Sequence, residues 1–171
     1  NIKSLLKDID VNLRISNNYK LRLKLFKLLL CWAKRLTFEE KIMLKEIIEK
    51  ALNKQIELEA SSSQFYLSMA SWTETKGLSG SSSFLYQHSD EERLHMLKLV
   101  KFINERGGNA KIPALIQPPT IFKSLTHVFE SLLEHELNVT ESINNIVGLC
   151  LEEKDFTTHN FMQWYVAEQL E

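Results

Sequence analysis

Residues 107–122, GGNAKIPALIQPPTIF, contain all three prolines of the chain, Pro113, Pro118 and Pro119, and two of its five glycines. A proline fixes its own φ and pushes the residue before it towards extended backbone, so the stretch reads as an extended connection. Its sixteen residues reach roughly 50 Å when extended, whereas a helix of about 25 residues is about 38 Å long. The connection can therefore run the full length of a helix, and the elements on either side of it can lie parallel.

Immediately upstream, apolar spacing predicts a helix over about 81–106, with a seam of Leu85, His88, Glu92, His95, Leu99 and Phe102 at steps of three and four. Before it, 44–72 carries the seam Ile48, Leu52, Ile56, Glu59, Ser63, Tyr66 and Ala70. The stretch ETKGLSGSSS (74–83) separates the two with glycines and a run of serines suited to capping. Downstream, 123–152 has the longest seam: Leu125, Phe129, Leu132, Glu136, Val139, Ile143, Ile146 and Cys150. Asp155 can cap a fourth helix carrying Phe161, Trp164 or Tyr165, and Glu168, and the chain ends inside that helix. The short first-to-second and third-to-fourth links make those pairs antiparallel neighbours. The expected fold is all-α: a four-helix bundle with one long crossover between the second and third helices, and a fourth helix truncated at the C-terminus.

The 171 residues suffice for one domain with a sizeable core, and 44% hydrophobic with 25% charged residues is ordinary for a mostly helical protein. Cys31 and Cys150 match neither a disulfide framework nor a CxxC metal motif, which suits a reducing compartment. No apolar run is long enough to span a membrane. The net charge of −1 hides an asymmetry: residues 1–42 carry ten Lys/Arg against four Asp/Glu, while 43–171 hold eleven against eighteen. The acidic body favours cations over nucleic acid as partners. Three readings fit residues 1–42: a basic presequence, an amphipathic element for a membrane or partner, or an extension outside the fold. Lys27 interrupts the apolar run and no small-residue cleavage pattern follows. The third reading is preferred, with a clean helix start after Met43 and the functional domain at 43–171.

Every expected helix places acid on its apolar seam: Glu59, Glu92 with His95 in EERLHM (91–96), Glu136, and Glu168. A lone Glu-x-x-His is usually just solvated, and a single seam acid can mark a partner surface. Several at matching depths are a different matter, because buried carboxylates cost several kcal/mol each and repel one another. Shared cations remove both costs. Glutamates from some helices with Glu-x-x-His from others make a dinuclear iron or manganese site in a bundle, and the imidazole favours a transition metal over magnesium or calcium.

Four segments in order, LNKQIELEASSSQFYLSMASW, FLYQHSDEERLHM, HELNVTESINNI and HNFMQWYVAEQLE, resemble the bacterial non-haem ferritins, and the likeness covers residues 43–171. It implies the ferritin-like bundle and a diiron centre. By position, Glu59, Glu92 and His95 resemble ligands of the first iron, Glu92 bridges to the second, and Glu136 binds the second. Glu91, Glu168 and Glu171 match a nearby third iron site, and Gln169 stands beside the centre. Tyr66 matches the tyrosine that hydrogen-bonds to the site or supplies an electron, although an ordinary core aromatic fits it equally. Trp164 matches an auxiliary electron source, with core packing the better reading. His88 reads as hydrogen-bonded inside the bundle, and His127, His135 and His159 as surface or interface residues. The family's further glutamate after Glu171 and its short fifth helix are missing. No haem is expected: Glu171 stands where haem-binding relatives complete a second Glu-x-x-His, and Arg93 where they supply methionine.

The resemblance implies a cytoplasmic ferroxidase that oxidises Fe(II) to Fe(III) with O₂ or H₂O₂ and stores ferric mineral in a hollow homo-oligomer of twenty-four subunits. Neither nucleic acid nor membrane is an expected partner. One alternative is a rubrerythrin-like peroxide-reducing diiron protein, but a second Glu-x-x-His and a four-cysteine domain are not visible. The other is a non-catalytic ferritin-type assembly subunit, against which the set Glu59, Glu92, His95 and Glu136 argues.

Overall fold

The computed structural model describes residues 43–170, so the readings placed on residues 1–42 and on Glu171 lie outside the described residues. Four helices follow one another: α1 (Glu46–Thr75), α2 (Ser79–Glu105), α3 (Leu125–Glu152) and α4 (Phe156–Glu168). No strand occurs among the described residues. The proline-rich stretch is extended, as its composition requires, and bridges α2 and α3.

Three of the helices stop in the same way. The residue after the C-cap turns to positive φ at Gly77, Gly107 and Lys154. The next amide then reaches back to the carbonyl three residues inside the helix end: Leu78 N to Thr73 O at 3.1 Å, Gly108 N to Ile103 O at 2.9 Å, and Asp155 N to Cys150 O at 2.9 Å. These are Schellman closures. Helix starts are less uniform. Ser124 accepts from the His127 amide and Asp155 from the Thr158 amide, as N-cap side chains do. α2 instead starts at Ser79 after Leu78, with no side-chain cap. Gly80 and the serines of GSSS lie inside its first two turns and not in the connection, so their expected capping role is corrected. The α1 closure already turns the chain, and little linker remains.

Paired contacts fix the topology. Between α1 and α3, Tyr66 meets Glu136, Gln55 meets Ser142, and Lys45 meets Glu153, so the two run antiparallel. Between α1 and α2, Ser63 meets Ser89 and Leu44 meets the carbonyl of Arg106, again antiparallel. α2 and α3 are therefore parallel, as a long crossover allows. α4 opposes α2, with Phe161 stacked on Phe102 at 3.7 Å and Arg106 forked onto Asp155.

All seven seam residues of α1 are buried. One apolar cluster holds Ile48, Leu52, Ile56, Leu99, Ile103, Val139, Ile143, Met162 and Tyr165, and a second holds Tyr66, Met69, Ala70, Leu85, Phe122 and Val128. Each large aliphatic side chain among them contributes about 1.5–3 kcal/mol of transfer free energy. Along α1 the two clusters are separated by the buried polar residues Glu59, Ser62 and Ser63, and along α2 by Ser89 and Glu92. The α3 seam divides: Val139, Ile143, Ile146 and Cys150 are buried, whereas Phe129 is exposed and Leu132 and Glu136 are half-buried. The C-cap of α4, Gln169, meets α3 at Thr140. No described helix is long and apolar enough to cross a membrane.

Candidate metal centre

Glu59 is fully buried on α1, and Glu92 is 5% exposed on α2. Helical spacing brings His95 onto the same face as Glu92. His95 Nδ1 lies 3.5 Å from Glu92 Oε2 and 3.9 Å from Glu59 Oε2. Each of these two carboxylate oxygens is buried with no hydrogen-bond partner, an expensive condition for an acid with nothing bound to it. First-row divalent ions sit about 2.0–2.2 Å from carboxylate and imidazole donors, so two donors on one ion stand at most about 4.4 Å apart. The three atoms, mutually within 4.8 Å, fit that requirement after a small contraction. The residues fit a transition-metal cation.

The surrounding electrostatics agree. Burial raises Glu59 well above the usual carboxylate range, with the neighbouring Glu92 adding to it. Burial likewise carries Glu92 up to about 7, and the charges of Glu136 and Glu91 push the same way. Both shifts disfavour the bare carboxylate pair, and a cation bound between the two would offset that cost.

Glu136 is not part of the three-donor cluster. It stands on α3 across a cleft of about 430 Å³ whose wall also includes Glu91, Glu92, His95, Glu168 and Gln169. The Tyr66 hydroxyl donates to Glu136 Oε1 at 2.5 Å. Burial, then this hydrogen bond, push the phenol well above its ordinary range, so Tyr66 stays protonated and donating. Glu168 Oε2 lies 3.7 Å from His95 Nε2. Glu91 accepts from Gln87 and faces His88 Nδ1 at 3.7 Å. Gln169 accepts from the Thr140 hydroxyl. Leu132, Leu133 and Leu137 form the apolar part of the cleft.

Several supporting residues were not anticipated from sequence. Gln55, fully buried, donates to Glu59 Oε1 at 2.9 Å and accepts from Ser142 at 2.5 Å. His135, expected at the surface or an interface, is half-buried between α1 and α3: its Nε2 lies 2.7 Å from Ser62 Oγ, and its ring abuts Phe65 and Tyr66. Burial lowers its pKa. The Tyr165 hydroxyl donates to the His95 carbonyl at 2.8 Å and thereby anchors the helix turn that carries the imidazole. Of the two candidates on α4, Tyr165 is the buried one; Trp164 is half-buried, edge-on to His95 with Lys98 Nζ 3.4 Å above its ring. His88 bonds to the Phe84 carbonyl at 3.2 Å. Cys150 is buried with its thiol pushed up to about 11, chiefly by burial, and takes no part in the site.

Residues 49–171 match the Ferritin-like domain family. A probable bacterial non-heme ferritin-like protein of Haemophilus influenzae is 46% identical over 129 residues, covering 75% of this chain and 78% of the relative. A bacterial non-heme ferritin of Campylobacter jejuni is 43% identical, with coverage of 75% and 77%. Among solved structures, an open pore ferritin of the archaeon Archaeoglobus fulgidus superposes with a TM-score of 0.72 at 44% identity, covering 74% of this chain and 78% of that one. The Chlorobium tepidum ferritin gives 0.73 at 42% identity, with the same coverage.

Proposed function

The chain belongs to the ferritin family, and from that membership we propose that it binds Fe(II) at the Glu59–Glu92–His95 cluster, oxidises it, and passes Fe(III) to a mineral store. Two Fe(II) ions are the substrate. Glu59, Glu92 and His95 hold the first, and Glu92 bridges to the second, which Glu136 holds from the opposite wall. Glu91, Glu168 and Glu171 supply a neighbouring third position, with Gln169 beside it. Each Fe(II) gives up one electron. O₂ takes both with two protons to leave H₂O₂; where peroxide is the oxidant, two electrons and two protons leave two waters. The apolar surroundings limit water at the cluster, and the cleft gives small oxidants entry. Tyr66 keeps Glu136 turned into the cleft. The product is stored in a cytoplasmic shell of copies of this chain.

What supports the reading most is the pair of buried, unpartnered oxygens, Glu59 Oε2 and Glu92 Oε2, facing one imidazole nitrogen. A structural ion network would have satisfied them. The test is to mix anaerobic Fe(II)-loaded protein with O₂ in a stopped flow and follow the rise of ferric absorbance. The parent should oxidise iron well above the buffer rate, and Glu92→Ala should lose the fast phase. A Glu92→Ala protein oxidising at the parental rate overturns the proposal.

A further inference from the structure

Glu59 has two oxygens with different surroundings. Oε2 is bare and faces Glu92 and His95. Oε1 accepts the Gln55 side-chain amide at 2.9 Å from one turn earlier on α1. Gln55 is itself fully buried, and its own Oε1 accepts from the Ser142 hydroxyl of α3 at 2.5 Å. Those two contacts leave the amide one favourable orientation. Turned over, its oxygen would face a carboxylate oxygen and repel it.

We infer that Gln55, set by Ser142, is a positioning residue that makes Glu59 a one-oxygen metal donor. The inference rests on the reading of Glu59 as an iron donor. With Oε1 occupied by a hydrogen bond, Glu59 offers a cation only Oε2, and the carboxylate plane cannot rotate to chelate without breaking that bond. A coordination position stays open for oxidant. Large hard cations, which take six to eight oxygens and favour chelating carboxylates, are disfavoured at the same stroke. Outer hydrogen bonds of this kind commonly carry a 10–100-fold share of metal affinity. The relay also ties the site to α3, since Ser142 follows Glu136 on that helix.

The test uses the full chain, metal-free and anaerobic, titrated with Co(II), whose d–d absorption reports the donor set. Four proteins are compared: the parent, Gln55→Met, Ser142→Ala and His95→Ala. Affinity comes from calorimetry and the spectrum from absorbance, so neither readout depends on turnover. The parent should bind Co(II) and His95→Ala should lose that binding; if either fails, the metal site itself is misread. Given a working site, Gln55→Met should bind roughly 10–100-fold more weakly with an altered d–d band. Ser142→Ala should shift both in the same direction by a smaller factor. Parental affinity and an unchanged band in both variants would overturn the positioning role while leaving the metal site standing. Should Gln55→Met not fold, Ser142→Ala decides alone, because Ser142 is only half-buried and its loss removes one hydroxyl.

Discussion

The Tyr66 hydroxyl on α1 donates to Glu136 Oε1 on α3 across 2.5 Å, joining the wall of the cleft to the core behind it. Tyr66 is fully buried, while Glu136 still reaches the cleft. The bond therefore does two things: it satisfies a phenol with few other choices and fixes the carboxylate's free oxygen towards the cleft. Tyr66→Phe should cost about 1–3 kcal/mol of stability in thermal or denaturant unfolding. It should also weaken the second equivalent of anaerobically titrated Fe(II) more than the first. Equal weakening of both would show that Tyr66 does not act through Glu136.

The helices were legible wherever burial follows local spacing. All seven α1 seam positions are buried because one face of that helix meets both α2 and α3. The seam acids were legible for the same reason, since a carboxylate at an apolar position conflicts with its neighbours in sequence. Gln55 and His135 were not, because their meaning lies in partners 87 and 73 residues away. Finding them requires the rotation and register of one helix against another, which no single-helix period contains. The second helix starts at Ser79, two residues before its expected start: serines and glycine look like a cap, yet a Schellman closure at Gly77 had already turned the chain.

Lys154 closes α3 at φ 55, where α1 and α2 use glycine. An L side chain in the left-handed region costs roughly 1–2 kcal/mol, part of which glycine's extra chain entropy returns. Lys154 is exposed. Lys154→Gly should therefore raise stability by about 0.5–1 kcal/mol, visible as a higher denaturant midpoint with an unchanged slope. A drop would mean that the lysine side chain contributes more than its backbone costs.

At the far end of the bundle, Arg106 forks onto Asp155, with both N–O distances at 3.2 Å, and also reaches Thr158 Oγ at 3.1 Å. Burial alone would push the Asp155 carboxyl up, but the Thr158 amide, Arg106 and the Thr158 hydroxyl together hold it below its usual value. Removing one partner of a largely buried pair strands the other charge. Arg106→Ala should destabilise by about 3–5 kcal/mol in thermal unfolding, while Fe(II) affinity at the distant cluster changes little. A loss below about 1 kcal/mol would place this pair with weak surface bridges.

The crossover carries Ile112, Ile116 and Ile121 at 70%, 92% and 84% exposure. Apolar side chains so open on one connection are costly unless another surface covers them. A shell of copies would do so. The double variant Ile116→Asp, Ile121→Asp should move the protein to smaller species in light scattering and gel filtration, with helical content by circular dichroism retained. A parental size distribution would mean that the crossover lies outside the subunit contacts.

Glu92 also makes an opposite demand on stability and activity. Its carboxyl is carried from 4.5 to about 7 by burial first, with the charges of Glu136 and Glu91 adding. Because the folded value exceeds the unfolded one, the native state holds more protons than the unfolded chain between about pH 4.5 and 7. Stability therefore falls as pH rises through that window, and the full cost remains above it. Metal-free protein should melt at lower temperature at pH 8 than at pH 5. Glu92→Gln keeps the shape and cannot ionise. It should flatten that dependence and, at pH 8, exceed the parent by on the order of 1–3 kcal/mol. The same variant should lose fast Fe(II) oxidation, since an amide cannot serve as a charged bridge. Activity and apo stability thus move in opposite directions, as a site held ready for cations requires. A Glu92→Gln protein that is both less stable without metal and fully active with iron would contradict that account on both sides.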